Sequence, residues 1–176
     1  MSKPKYSWAV GQKFNADRSA KRFPGNTIIC HIPKQSPQFN FLVELREDMM
    51  KQPWAKKYSW LPPSSFHMTV HEGICEYVRK ATHWPKELSR EATLQEADEF
   101  FIEKFKEISV PEPFEIKAKG IGFGGVITMG IEPATEEMEK RMRTYRDEVA
   151  EKLTLKFPGH SFYGFHISFA YSIEIL

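Results

Sequence analysis

Two short stretches of this 176-residue chain put the same chemistry on the same kind of scaffold. Ser65-Phe66-His67-Met68-Thr69-Val70 lies near the middle and Gly164-Phe165-His166-Ile167-Ser168-Phe169 near the end. In each, a histidine is followed two places later by a hydroxyl residue, with apolar residues between. Successive side chains of an extended strand point to opposite faces. His67 and Thr69 therefore share one face of their strand, and His166 and Ser168 share one face of theirs. The apolar residues between and around them offer a row to a core. A neutral imidazole can take a proton from an attacking oxygen, and a protonated one can give a proton to a leaving oxygen. An ordinary imidazole pKa of about 6.5 lets two such rings hold opposite protonation states near neutrality. Thr69 and Ser168 can donate hydrogen bonds to non-bridging phosphoryl oxygens as charge gathers there. Such a site asks for no cofactor and no metal, and the sequence shows no carboxylate cluster that would hold one.

The two histidines are 166 − 67 = 99 residues apart, and the same offset lays Gly25, Ile28 and Ile32 over Gly124, Ile127 and Ile131. A helix start follows each strand, at Ser36-Pro37 and at Ala134-Thr135-Glu136. Repetition at a fixed period is the first organisation to look for in a chain. The sequence reads as one domain over 1–176 made of two halves, about 25–73 and 124–176, with a helical insertion at about 74–113. A pseudo-twofold arrangement would bring the two motif strands to the centre and set His67 and His166 facing one another across a cleft.

The elements that must position these residues carry their own signals. Residues 1–25 are polar and mixed and read as irregular chain ending in a turn before a strand over 27–32. Ser36 as cap and Pro37 at the first helical position open a helix running to about Lys51, with Phe39, Leu42, Val43, Met49 and Met50 at helical spacing. Trp54, Tyr58 and Trp60 fall in an aromatic loop that delivers the first motif strand. Trp54 and Trp60 could stack on a base, but packing the loop against the core is the reading favoured by the usual burial of tryptophan. Thr93 caps an amphipathic helix carrying Leu94, Ala97, Phe100, Phe101 and Phe105. Phe114–Ile121 and Val126–Ile131 alternate as a hairpin around Gly122-Phe123-Gly124-Gly125, which lacks the spacing of a phosphate loop. The longest helix runs from Thr135 to about Leu155, its alternating Glu, Lys and Arg forming a charged outer face.

Composition narrows the rest. The chain is long enough to fold without disulfide or metal support. Twenty-five Lys and Arg against 23 Asp and Glu leave a net charge of +2, too little for a broad electrostatic grip on long nucleic acid. Two cysteines give neither a disulfide framework nor a zinc spacing. The N-terminus leads into no apolar run of signal or membrane length, so the expected location is the cytoplasm, with no membrane partner.

The two His-x-Thr/Ser motifs, together with Pro24-Gly25-Asn26-Thr27-Ile28-Ile29-Cys30-His31, Phe66-His67-Met68-Thr69-Val70-His71-Glu72-Gly73 and Tyr163-Gly164-Phe165-His166-Ile167-Ser168, resemble the 2H phosphoesterase superfamily of LigT-like and cyclic-phosphodiesterase-like proteins. They look like an uncharacterised bacterial and fungal branch of it. The resemblance implies a two-lobed α/β (α+β) fold, with antiparallel sheets around a central cleft and helices outside. It also implies metal-independent chemistry on RNA-type phosphodiesters: opening of 2′,3′-cyclic phosphates, cleavage of 2′,5′-linked oligonucleotides, trimming of RNA ends or reversible 2′,5′ ligation. Carried over, one of His67 and His166 is the general base and the other the general acid, while Thr69 and Ser168 bind phosphate. The expected substrate is a nucleotide or short RNA phosphodiester. The alternatives are a non-catalytic module that holds a nucleotide or RNA end in the same cleft, and a 2′,5′ RNA ligase.

His71 has the strand parity of His67 and Thr69, so it either lines the cleft as a substrate-binding residue or is a hydrogen-bonded residue at the strand end. His31 on the first strand and His160 in a loop read as structural or solvent-facing. The chain ends ten residues after His166, and if the final strand is an uncovered edge it would invite a partner or a second copy of the chain.

Overall fold

The structure is a computed structural model and describes residues 5–175. Its centre is one antiparallel sheet of six strands: β1 (Gly25–His31), β2 (Tyr58–Trp60), β3 (His67–Cys75), β4 (Ile116–Gly122), β5 (Val126–Pro133) and β6 (His166–Ser172). The order across it is β1-β3-β6-β5-β4, with β2 also paired to β6. Three α-helices accompany it, α1 (Pro37–Met50), α2 (Leu94–Phe105) and α3 (Glu136–Lys152).

Each helix starts where its sequence says it should. The Ser36 hydroxyl accepts the Phe39 amide ahead of Pro37. Thr93 and Glu96 cap α2 reciprocally. Thr135 accepts the Met138 amide, and Glu136, Glu137 and Glu139 place negative charge at the positive end of α3. One face of the sheet is apolar. Met68, Ile127, Met129, Ile131, Ile167 and Phe169 pack there with Leu42 and Met49 of α1 and Met142 of α3. Ile127 and Phe169 are wholly buried, so truncating the phenylalanine to alanine would cost about 3–5 kcal/mol. A second cluster joins Val149 of α3 and Leu153 just past its end to Ala97 and Phe101 of α2 and to Trp84.

The two halves share their strand pairing in detail. His31 lies opposite His67 in the β1–β3 pair, and Gly130, 99 residues on, lies opposite His166 in the β5–β6 pair. Each pair is interrupted by an unpaired residue in the motif strand, Val70 in β3 and Phe169 in β6, again 99 apart, and the β1–β3 pair shifts register a second time between Gly25 and Thr27. Such a bulge reverses the facing of every residue beyond it. The repeat is therefore visible in register and in irregularity as well as in motif.

Three sequence expectations meet this architecture differently. His71 does not share a face with His67 and Thr69: the Val70 bulge turns it to the apolar side, where it is 0% exposed, and brings Glu72 to the other face. The substrate-contact reading of His71 is therefore corrected to a buried one. The final strand is not an edge. β6 pairs with β5 on one side and with β2 and β3 on the other, and the strands with an unpaired side are β1, β4 and the short β2. The premise for association along the C-terminal strand is thus absent. Trp54 and Trp60 do pack against the main core, and the Trp60 indole donates to the Ala55 carbonyl.

Candidate functional site

β3 and β6 touch through a single ladder pair, Met68 opposite Ile167, and this pair fixes the site. In the antiparallel register, the neighbours of that pair face the other way, which sets His67 beside Ser168 and Thr69 beside His166. Each histidine of one half thus has the hydroxyl of the other half as its cross-strand neighbour. The two imidazoles are therefore diagonal neighbours across the single ladder pair. All four side chains are partly accessible, while Phe66, Met68, Phe165 and Ile167 on the reverse face are buried. The rings stand side by side on one sheet face rather than on opposing walls.

Both imidazoles are aimed in the same manner. His67 Nδ1 lies 2.7 Å from the Ser65 carbonyl oxygen, and His166 Nδ1 lies 2.8 Å from the Gly164 carbonyl oxygen, each acceptor two residues upstream. A carbonyl can only accept, so Nδ1 carries the proton in both rings. The Nε2 atoms are left to work, each able to take or give one proton.

The surroundings of the pair are not symmetric. His31, exposed, is the cross-strand neighbour of His67, whereas the matching position beside His166 is Gly130. Beyond Met68 and Ile167 the strands splay, and Tyr163 fills the opening. Its ring centroid is 5.9 Å from that of His166. Burial first and the Glu72 carboxylate second raise the Tyr163 phenol above its ordinary pKa, so it stays protonated.

Beneath Tyr163 sits Arg146 of α3, 1% exposed. Its guanidinium carbon is 4.3 Å from the Tyr163 ring centroid, Nη1 donates to the Val70 carbonyl, and Nη2 is 3.7 Å from Glu72 Oε2. Arg143, one turn earlier, donates to the Tyr163 carbonyl at 2.8 Å. α3 therefore grips the bulge that follows Thr69 and the turn that precedes His166. Arg146 was legible in principle. It lies four residues after Met142 and three before Val149, on the buried stripe of its helix. Tyr163 opens the second motif stretch, but nothing in the sequence assigned it a role.

His160, in the turn before the second motif, is 5% exposed and bonds Asp147 Oδ1 through Nε2 at 3.0 Å. Its ring centroid is 5.5 Å from that of His71 behind the sheet. Neither joins the cleft-face group. Among the described residues no group of three or more His, Cys, Asp and Glu is placed to hold a metal ion, and no helix is long and apolar enough to cross a membrane.

No curated protein matches the chain. Among solved structures, the chain is similar to the "conserved protein of unknown function ATU0111" from Agrobacterium tumefaciens str. C58, with a TM-score of 0.90 and 25% identity over 99% of this chain and 74% of that one. A family model described as "2H-phosphodiest: Domain of unknown function (DUF1868)" matches residues 13–127, which include the whole first motif strand. With more than half of its length in that match, the chain belongs to the 2H phosphodiesterase family.

Proposed function

We propose that the chain is a hydrolase of 2′,3′-cyclic phosphate or 2′,5′-linked nucleotide or RNA phosphodiesters, working by two-histidine acid and base catalysis without a metal. The observation that carries the reading is the matched aim of the two imidazoles, each held at Nδ1 by its own chain, with Nε2 free on one sheet face. One Nε2, unprotonated, removes a proton from water as its oxygen forms a bond to phosphorus. The bond from phosphorus to the ribose oxygen breaks, and the other Nε2 delivers its proton to that leaving oxygen. The second ring then needs a proton and the first must lose one, so a proton exchange with solvent resets the pair. Thr69 and Ser168 donate to the non-bridging oxygens between them, where negative charge accumulates.

Purified protein given a nucleoside 2′,3′-cyclic phosphate in the presence of a chelator is expected to release the monophosphate. His67→Ala and His166→Ala are each expected to abolish release. Turnover that survives both substitutions would remove the chemistry. Tight binding with no product would replace it with a holding function in the same cleft.

A further inference from the structure

Beyond Ser168 the accessible face of β6 continues to Tyr171, because the Phe169 bulge is followed by a second inward residue, Ala170. Tyr171 meets Trp8 edge-on at 6.0 Å and Phe14 at 5.4 Å. The N-terminal segment therefore packs on the face that carries the two histidines, anchored by a small cluster of Ala9, Phe14 and Ile173. Lys13 Nζ is 3.3 Å from Tyr171 Oη and 4.9 Å from the ring centroids of both Tyr171 and Phe23. Phe23 in turn is 6.1 Å from Tyr77, whose hydroxyl donates to the Arg22 carbonyl. From Tyr171 on the motif strand, rings and an ammonium group thus run in two directions, to Trp8 on one side and through Lys13 to Phe23 and Tyr77 on the other.

Two further observations say what the strip is for. Its outer rings face water, with Trp8 54%, Phe23 41% and Tyr77 61% exposed, and Phe23 and Tyr77 wall a cavity of about 420 Å³ with Lys21. Residues 5–23 also hold Lys5, Lys13, Arg18, Lys21 and Arg22 against Asp17 alone, in a chain whose net charge is only +2. The segment that carries Trp8, Lys13 and Phe23 thus holds an excess of four positive charges, five basic residues less one acidic. Stacking faces interleaved with cations suit a single strand, whose bases are free to stack and whose phosphates need neutralising. A duplex hides its base faces and would leave the rings without work.

We propose that this strip is a docking track for single-stranded RNA leading to the two-histidine face, so that the substrate is an oligonucleotide rather than a mononucleotide. The strand's arrival at the histidines rests on the phosphodiesterase reading; its binding to the strip does not.

Fluorescence anisotropy with a labelled single-stranded oligoribonucleotide of about ten nucleotides tests it, since site sizes for such tracks are of that order. The wild-type protein is expected to bind with an affinity that falls with salt. Lys13→Gln is expected to lower the slope of log affinity against log salt by about 0.7. The double variant Phe23→Ala, Tyr77→Ala loses two exposed rings, and circular dichroism is expected to show an unchanged fold. Its affinity should drop at least about tenfold, as the loss of one stacked base would give. No binding by the wild type, equal binding by the double variant, or binding to phosphatidylserine vesicles in place of the strand each overturns the track. Strand binding without any hydrolysis supports the track and overturns the phosphodiesterase reading instead.

Discussion

His67 and His166 show what a strand can and cannot do for a catalytic side chain. The strand supplies the facing, but the tautomer comes from carbonyls two residues upstream, Ser65 and Gly164, which only a chain turning sharply into the strand can present. Short 3₁₀ turns end at Ser65 and at Phe162, just ahead of the two motifs, and provide that entry. The hydroxyls invite a cleaner test than the histidines. Thr69→Val keeps the shape of the side chain and removes the donor. If Thr69 stabilises charge only as it develops, kcat should fall on the order of a hundredfold with KM little changed, and Ser168→Ala should do the same. Steady-state kinetics on a cyclic phosphate separates the two parameters, and a rise in KM alone would mean that these groups merely bind substrate. His67, Thr69, His166 and Ser168 could be read from the sequence because strict alternation holds over so short a stretch. His71 could not. A single extra residue at Val70 reversed its facing, and nothing in Thr69-Val70-His71 marks a bulge.

At the level of elements, α3 is more than a cover for the sheet. Its run of Glu, Lys and Arg reads as a solvated surface, and for Glu137 or Lys140 that is correct. Arg146 breaks the pattern by sitting on the buried stripe with Met142 and Val149, where it ties the Val70 carbonyl of one motif strand to the Tyr163 ring before the other. A buried guanidinium is costly to desolvate, and its Nε and Nη2 have no hydrogen-bond partner. Such an expense is understandable if the helix is holding two strands that pair only once with each other. Arg146→Met keeps the length and the contact with Tyr163 but frees the Val70 carbonyl. The expected cost is about 1–3 kcal/mol of stability for the orphaned acceptor, together with a fall in kcat of about tenfold or more as Thr69 and His166 lose their mutual placement. Arg146→Lys should not restore the rate, because an ammonium cannot stack on the ring and reach the carbonyl with the same fork geometry. Denaturant titration and kinetics on the same two variants check both halves of the statement. The helix caps, the β4–β5 hairpin and the start of α1 were all legible, since each depends on local residue chemistry. The central place of the two motif strands followed from the repeat, but their sharing of one continuous sheet, with both histidines side by side, did not, because strand pairing is decided by contacts between residues far apart in the chain.

For the whole molecule, the consequence of duplication is a line of contact between two halves, and behind the sheet that line runs through buried imidazoles. His71 comes from the first motif strand and His160 from the turn before the second, with their ring centroids 5.5 Å apart. Burial depresses the His71 pKa to about 4, helped by the nearby charge of Arg146 and opposed by the hydrogen bond to the Glu72 carbonyl. His160 is lowered in the same direction, by burial first and then by Arg146, although its bond to Asp147 pulls the other way. The groups facing this pair are therefore Arg146, Asp147 and, beyond Asp147, Lys156. The sign of the linkage follows. In the unfolded chain His71 takes up a proton as the pH falls through about 6.5, whereas the folded chain resists until about pH 4. Its contribution to stability is thus complete above 6.5, drains away between 6.5 and 4, and amounts to on the order of 3 kcal/mol. Urea denaturation at pH 7.5 and at pH 5 is expected to show a marked loss in the wild type, and His71→Gln should lose much less over the same interval. Equal pH dependence in the two proteins would mean that His71 is not held neutral behind the sheet. Because His71 and His160 belong to opposite halves, their protonation should also weaken the grip of the halves on each other, so acid should loosen the splayed end of the β3–β6 pair before the strand cores of either half exchange their amides.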